Sequence, residues 1–202
     1  MKRIVIFLAE GFEEIEAVTP ADYCRRADFE VIIASCGASL DVRGSHGIIV
    51  RADTTAVQLA RRSVPWDAVV SPGGMPGAAN IAACADACAV IRWVWDAGGI
   101  VAALCAAPAV VLSGLGILAG KRWTCYPGME AELGKWAGTD WREVTAGSIH
   151  TGVSHVVDGR LITGQAPGAA EEFALALVEA LAGPGKAQQL RAVSCVRPER
   201  GC

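Results

Sequence analysis

Four short apolar runs, each the length of a buried strand, are separated by segments of helical character, and this alternation limits the folds open to the chain. Arg3 to Leu8 (RIVIFL), Phe29 to Ala34 and Trp66 to Val70 read as strands, as does Ile100 to Leu104. Glu13 to Ala27, with Pro20 inside it, Asp86 to Ala97 and Ala106 to Leu118 read as helices between and after them. Near-continuous apolar strands joined by helical crossovers predict a doubly wound, mostly parallel α/β sheet with helices on both faces. Around Asp158-Gly159, "VSHVVDGRLITG" predicts a hairpin, and Glu171 to Leu181 predicts a last helix. The Gly- and Pro-containing segment after Gly183 reads as a loosely held tail, giving a domain over 1–183 and a tail over 184–202.

Sheets of this kind take ligands beyond the carboxyl ends of their strands. Three informative stretches follow strand ends: "LAEGFEEIEAV", "SPGGMPG" and the cysteine of "GIVAALCAAPAVVL". Cys105 falls where a strand turns into the next segment, with small residues at Ala103, Ala106 and Ala107 that allow a tight elbow. A thiol at a helix start is expected to have a lowered pKa. Gly73 and Gly74 allow backbone N–H groups to converge as an oxyanion nest. Glu16 lies between apolar neighbours, where desolvation keeps a carboxyl protonated near neutrality, whereas Glu13 and Glu14 read as solvated helix-capping residues.

The 202 residues are 52% hydrophobic, enough for one substantial core, and the net charge of −3 disfavours nucleic acid as a partner. The apolar run at the start is too short for a signal peptide or a membrane span, which suggests a cytoplasmic protein. Eight cysteines are too sparse for a disulfide scaffold and are expected to be mostly reduced. Cys84 and Cys88 stand one helical turn apart and read as core packing. His46, His150 and His155 show no ligand spacing, so no metal site is expected.

The stretches "AEGFEEIEAVTPADYCRRA", "VVSPGGMPGAANI", "ALCAAPAVVL", "TCYPGME" and "GQAPGAAEEFALALVEAL" together resemble the DJ-1/PfpI superfamily, in its DJ-1-like deglycase and glyoxalase III branch. The resemblance implies a flavodoxin-like sandwich related to class I glutamine amidotransferases, a homodimer, and no cofactor. By position it makes Cys105 the nucleophile and Glu16 its acid/base partner. Gly73, Gly74 and Ala106 become the backbone donors, and Tyr126, Pro127, Gln165 and Pro167 surround the substrate. Ala106 stands where the protease-like branch has a histidine, which argues against peptide hydrolysis. Tyr126 and Gln165 replace a histidine and an arginine of animal members.

The function this implies is conversion of small reactive dicarbonyls, methylglyoxal or glyoxal, to hydroxy acids, or deglycation of early glycation adducts. The competing reading is a redox-sensing, stress-linked chaperone that uses oxidation of Cys105. A catalytically silent scaffold is the third.

Overall fold

A computed structural model describes residues 1–61, 64–138 and 140–196. The sheet starts with β1 (Arg3–Leu8), followed by α1 (Glu14–Arg26) and β2 (Glu30–Ser35). A small antiparallel hairpin of β3 (Asp41–Arg43) and β4 (Ile49–Arg51) leads to β5 (Thr54–Thr55) and α2 (Ala56–Ala60). Next come β6 (Ala68–Ser71), α3 (Gly77–Ala83), α4 (Ala85–Asp96) and β7 (Ile100–Leu104). The remainder is β8 (Arg122–Trp123), α5 (Leu133–Trp136), α6 (Trp141–Val144), β9 (Ile149–His150), β10 (His155–Asp158), β11 (Leu161–Gly164), α7 (Ala170–Ala182) and α8 (Pro184–Val193).

Seven strands form one sheet in the order β10-β11-β7-β6-β1-β2-β5, parallel except for the β10–β11 hairpin at one edge. Its centre, β2-β1-β6-β7-β11, has the flavodoxin-like order, and the chain changes direction across the sheet between β1 and β6. The period-2 alternation of each strand feeds two cores. Val5, Phe7, Val69, Val101 and Ala103 face the layer of α2, α3 and α4. Ile4, Ile6, Leu8, Val70, Ala102 and Leu104 face α1 and α7. All of these strand residues are at most 1% exposed, which is why the runs read as continuously apolar.

Two expectations are corrected. Ala106 to Leu118 is not one long helix: a π-helix over Pro108–Leu112 gives way to turns. Ser113 bonds its hydroxyl back to the Ala109 carbonyl, and Gly116 takes a left-handed backbone (φ +66°), both of which break a regular helical ladder. The segment after Gly183 is not loose either, because 184–193 forms α8. Ala187 and Leu190 are buried against the α1–α7 layer, and Arg191 and Lys186 pair with Glu172 and Asp28. The signal was an apolar spacing of three between Ala187 and Leu190, outweighed in the sequence by Gly183, Pro184 and Gly185. The rest of the tail expectation, with Cys202, lies outside the described residues.

Candidate active site

The ends of β1, β6 and β7 meet at the point where the sheet order reverses. Beyond β7 the chain turns sharply at Cys105, which has φ +58°, a left-handed conformation uncommon for a residue with a side chain. The turn is held on both sides: Cys105 N–H donates to the Gly164 carbonyl at 2.9 Å, and the Cys105 carbonyl accepts from Tyr126 N–H at 2.9 Å. Ala103, Ala106 and Ala107 are buried around it, so the crowded elbow has no large side chain to accommodate. Strain of this kind, of order 1–3 kcal/mol, persists where surrounding structure fixes it.

Glu16 reaches the elbow from α1. The helix is capped by Glu13, whose carboxylate accepts the Glu16 N–H at 2.8 Å. The Glu16 side chain is fully buried, and its Oε2 accepts the Gly73 N–H at 2.8 Å. Its Oε1 has no hydrogen-bond partner among the described residues, and the carboxyl interacts with the Cys105 thiol. Burial had been inferred from the flanking residues, yet Ile15 and Val18 point outward, 53% and 48% exposed. Successive helical residues diverge by about 100°, so it is Pro20 and Tyr23, on the same helix face, that share the burial of Glu16.

The glycines after β6 divide the work differently from the sequence expectation. Gly73 N–H does not face the elbow; it holds Glu16. A Cβ at Gly73 would lie 2.6 Å from the Cys105 Cβ and 2.8 Å from Glu16 Oε2, so only glycine fits between the two groups. Gly74, at φ +83°, and Ala106 direct their N–H groups to the Cys105 sulfur. Gly74 also packs so tightly on the first loop that a Cβ there would come within 2.5 Å of the Glu13 nitrogen.

Burial, reinforced by the Glu13 charge, pushes the Glu16 carboxyl up to about 7, against the lowering effect of the Gly73 N–H. The expected depressed thiol pKa is not what the surroundings produce: burial and then the Glu16 carboxylate push Cys105 up to about 12, while the Gly74 and Ala106 N–H groups oppose the shift. The two groups therefore titrate as a unit that retains one proton across the neutral range. The carboxyl gives up its proton first, near 7, and the carboxylate can then take the thiol proton as the sulfur reacts, while the Gly74 and Ala106 N–H groups favour charge at the sulfur.

Glu14 is not solvated. It is buried beneath the β3–β4 hairpin, where its carboxylate accepts His46 N–H at 2.8 Å, meets His46 Nδ1 at 2.8 Å and is reached by the Ser45 hydroxyl. These bonds hold its pKa below the usual value despite the cost of burial.

Of the expected substrate-pocket residues, Tyr126 is half exposed beside the elbow and Pro127 is exposed. Gln165 and Pro167 follow Gly164 out of the sheet on the other side. The Gln165 amide is engaged with the Gly152 carbonyl at 2.9 Å and its backbone N–H with Ser154.

Three groupings were not visible in the sequence. Cys36 and Cys84 interact side chain to side chain; Cys84 is pushed down to about 6 and Cys36 up, as in a pair holding one proton. Cys125, Glu130 and His150 converge within 4.8 Å of one another, and Glu13, Glu14 and His46 do the same at the hairpin. The residues of each group come from separate segments, which motif spacing does not detect.

The resemblance implies a nucleophile on the elbow with a carboxylate from the first βα loop beside it, and the structure brings Cys105 and Glu16 together at that point, with Gly73 holding the carboxyl. The description of the DJ-1/PfpI family matches residues 2–180. The chain belongs to this family. It is 37% identical over 188 residues to Protein DJ-1 homolog A of Arabidopsis thaliana, covering 93% of this chain but only 44% of that protein. It is 29% identical over 194 residues to the glutathione-independent glyoxalase DJR-1.2 of Caenorhabditis elegans, covering 96% of this chain and 95% of that one. The crystal structure of Drosophila melanogaster DJ-1beta superposes with a TM-score of 0.85 at 34% identity, covering 98% and 99% of the two chains. The mostly parallel sheet with helices on both sides is thus the DJ-1/PfpI fold. No single helix among the described residues is long and apolar enough to cross a membrane.

Proposed function

We propose that this chain is a glutathione-independent thiol enzyme acting on small reactive dicarbonyls such as methylglyoxal and glyoxal. The observation that carries the reading is the fully buried Glu16 carboxyl, raised to about 7 beside Cys105, which can hold and exchange a proton at neutral pH. A relative that is named for this activity, at 29% identity, supports the same class.

Glu16 takes the Cys105 thiol proton as the sulfur adds to the aldehyde carbon of methylglyoxal, and passing that proton to the oxygen gives a hemithioacetal. Glu16 then removes the proton on that carbon and returns one to the neighbouring carbon, which converts the adduct to a thioester of lactate. Water cleaves the thioester, releasing lactate and the free thiol. The sum is methylglyoxal plus water to lactate, an internal redox rearrangement that needs no outside oxidant. The N–H groups of Gly74 and Ala106 stabilise the negative charge that develops at the sulfur as its proton leaves. The same addition applies to the hemiaminal that a dicarbonyl forms with an amine, and this is the route to deglycation.

Ile15 and Val18 on α1 and Ile48 on the hairpin are exposed, and Glu14 ties the two elements together through His46 and Ile48. This apolar patch fits a homodimer interface. A thiol-dependent reaction also suits a reducing compartment such as the cytoplasm.

The test is lactate formation from methylglyoxal by purified protein in the absence of glutathione. Wild type turns over with saturation, and Cys105→Ser loses the activity. Equal lactate formation by the two overturns the assignment.

A further inference from the structure

We propose that Cys125, Glu130 and His150 form a binding site for a divalent transition-metal ion of the zinc class, separate from the Cys105 elbow. The site is built by the small β8–β9 ladder. Parallel pairing sets Trp123 opposite His150, so the chain just beyond β8 brings Cys125 to the His150 ring. The following 3-10 turn, Met129–Glu132, returns Glu130 to the same sulfur.

The distances suit a tetrahedral ion. Cys125 Sγ lies 3.8 Å from His150 Nε2 and 3.9 Å from Glu130 Oε2. A tetrahedral zinc with Zn–S of about 2.3 Å and Zn–N or Zn–O of about 2.0–2.2 Å sets its ligand atoms roughly 3.5 Å apart. Movements of a few tenths of an ångström bring both contacts to the sulfur to that spacing, and the three ligand atoms all lie within 4.8 Å of one another. Thiolate, imidazole and carboxylate together select a borderline ion such as Zn²⁺ or Co²⁺ over Mg²⁺ or Ca²⁺.

The His150 ring is already oriented by its tilted packing on Trp123, with centroids 5.1 Å apart. Both residues, with Glu130, line a cavity of about 390 Å³ that also reaches Trp141 and Arg142. The buried Trp123 indole N–H has no hydrogen-bond partner among the described residues. Three protein ligands beside a cavity leave the fourth position for water or a small anion, and the Arg142 guanidinium supplies a cation on that wall. Binding forms the Cys125 sulfur–metal bond as the thiol proton passes to solvent. A Cys-His-acid nucleophile is the weaker reading, because Glu130 contacts the sulfur at 3.9 Å instead of orienting the imidazole.

The probe is Co²⁺ added to chelator-treated full-length protein, followed by competition with Zn²⁺. Wild type, Cys105→Ser and His46→Ala show a thiolate-to-cobalt charge-transfer band with tetrahedral visible bands, saturating at one ion per chain and abolished by zinc. Cys125→Ser, with unchanged far-ultraviolet circular dichroism, lacks the charge-transfer band. His150→Gln removes a direct ligand and weakens binding by more than the roughly 10–100-fold that outer-shell changes cause. Absence of the band in wild type overturns the proposal, as does a band that survives in Cys125→Ser or is lost in Cys105→Ser or His46→Ala.

Discussion

The carboxyl of Glu16 is held at the Cys105 elbow by one 2.8 Å hydrogen bond from the backbone N–H of Gly73. That bond joins the first helix to the loop after the third central strand, across the point where the sheet order reverses. The same carboxyl interacts with the Cys105 thiol, so the fold sets aside one buried acid for one nucleophile. The geometry depends on Gly73 having no side chain, and the chemistry depends on where a single proton resides.

Gly73→Ala is therefore expected to damage both. Its Cβ would sit 2.6 Å from the Cys105 Cβ and 2.9 Å from the Ala106 nitrogen, which is backbone and cannot swing away. Overpacking of this kind costs about 1–3 kcal/mol, and a displacement of order 1 Å at reacting groups costs about 10²-fold in rate. Denaturant midpoints and turnover measured on the same preparation check it. Wild-type values for both would mean that the elbow is looser than described.

Stability should depend on pH through Glu16. Its pKa is raised from 4.5 to about 7 on folding, so the folded state binds the proton more tightly. The contribution is fully present below 4.5 and is lost as pH rises through about 7. At about 1.4 kcal/mol per unit, the loss is about 3 kcal/mol. Chemical denaturation of wild type and Glu16→Gln between pH 4.5 and 8 should show the wild-type advantage shrinking, or its deficit growing, by this order. Parallel curves would show that Glu16 is not titrating in that window.

The fold was legible because β1, β6 and β7 are buried on both faces and so carry unbroken apolar runs; Arg3–Leu8 and Ile100–Leu104 match the observed strands residue for residue. The run after Cys105 misled because composition does not register the Ser113 back-bond or the left-handed Gly116. The position of Cys105 on an elbow was visible from the flanking alanines. The thiol's electrostatics were not, since they depend on a carboxylate 89 positions away in the chain. The division of labour between Gly73 and Gly74 was hidden for a similar reason: neighbouring glycines look alike until the partner of each N–H is known.

Thiol reactivity offers a direct view of the shared proton. With the retained proton on the sulfur, the Cys105 alkylation rate keeps climbing with pH beyond the first step near 7 and levels only towards the second step near 12. Iodoacetamide rates, resolved by peptide mapping so that Cys84 and the exposed Cys195 are counted apart, provide the profile. A rate that stays level between about pH 8 and 10 would put the retained proton on Glu16 and the charge on the sulfur.

Glu16→Gln, assayed for methylglyoxal turnover and Cys105 alkylation together, tests the central claim most directly. Glutamine can still accept the Gly73 N–H and donate to the sulfur, but it cannot exchange a proton with the adduct. Lactate formation is expected to fall by about 10²-fold or more while Cys105 remains open to alkylation at pH 7. Full turnover in the variant would remove Glu16 from the reaction. No turnover in wild type, with peroxide converting Cys105 to a sulfinate, would contradict the enzymatic account and leave a redox sensor built on the same elbow.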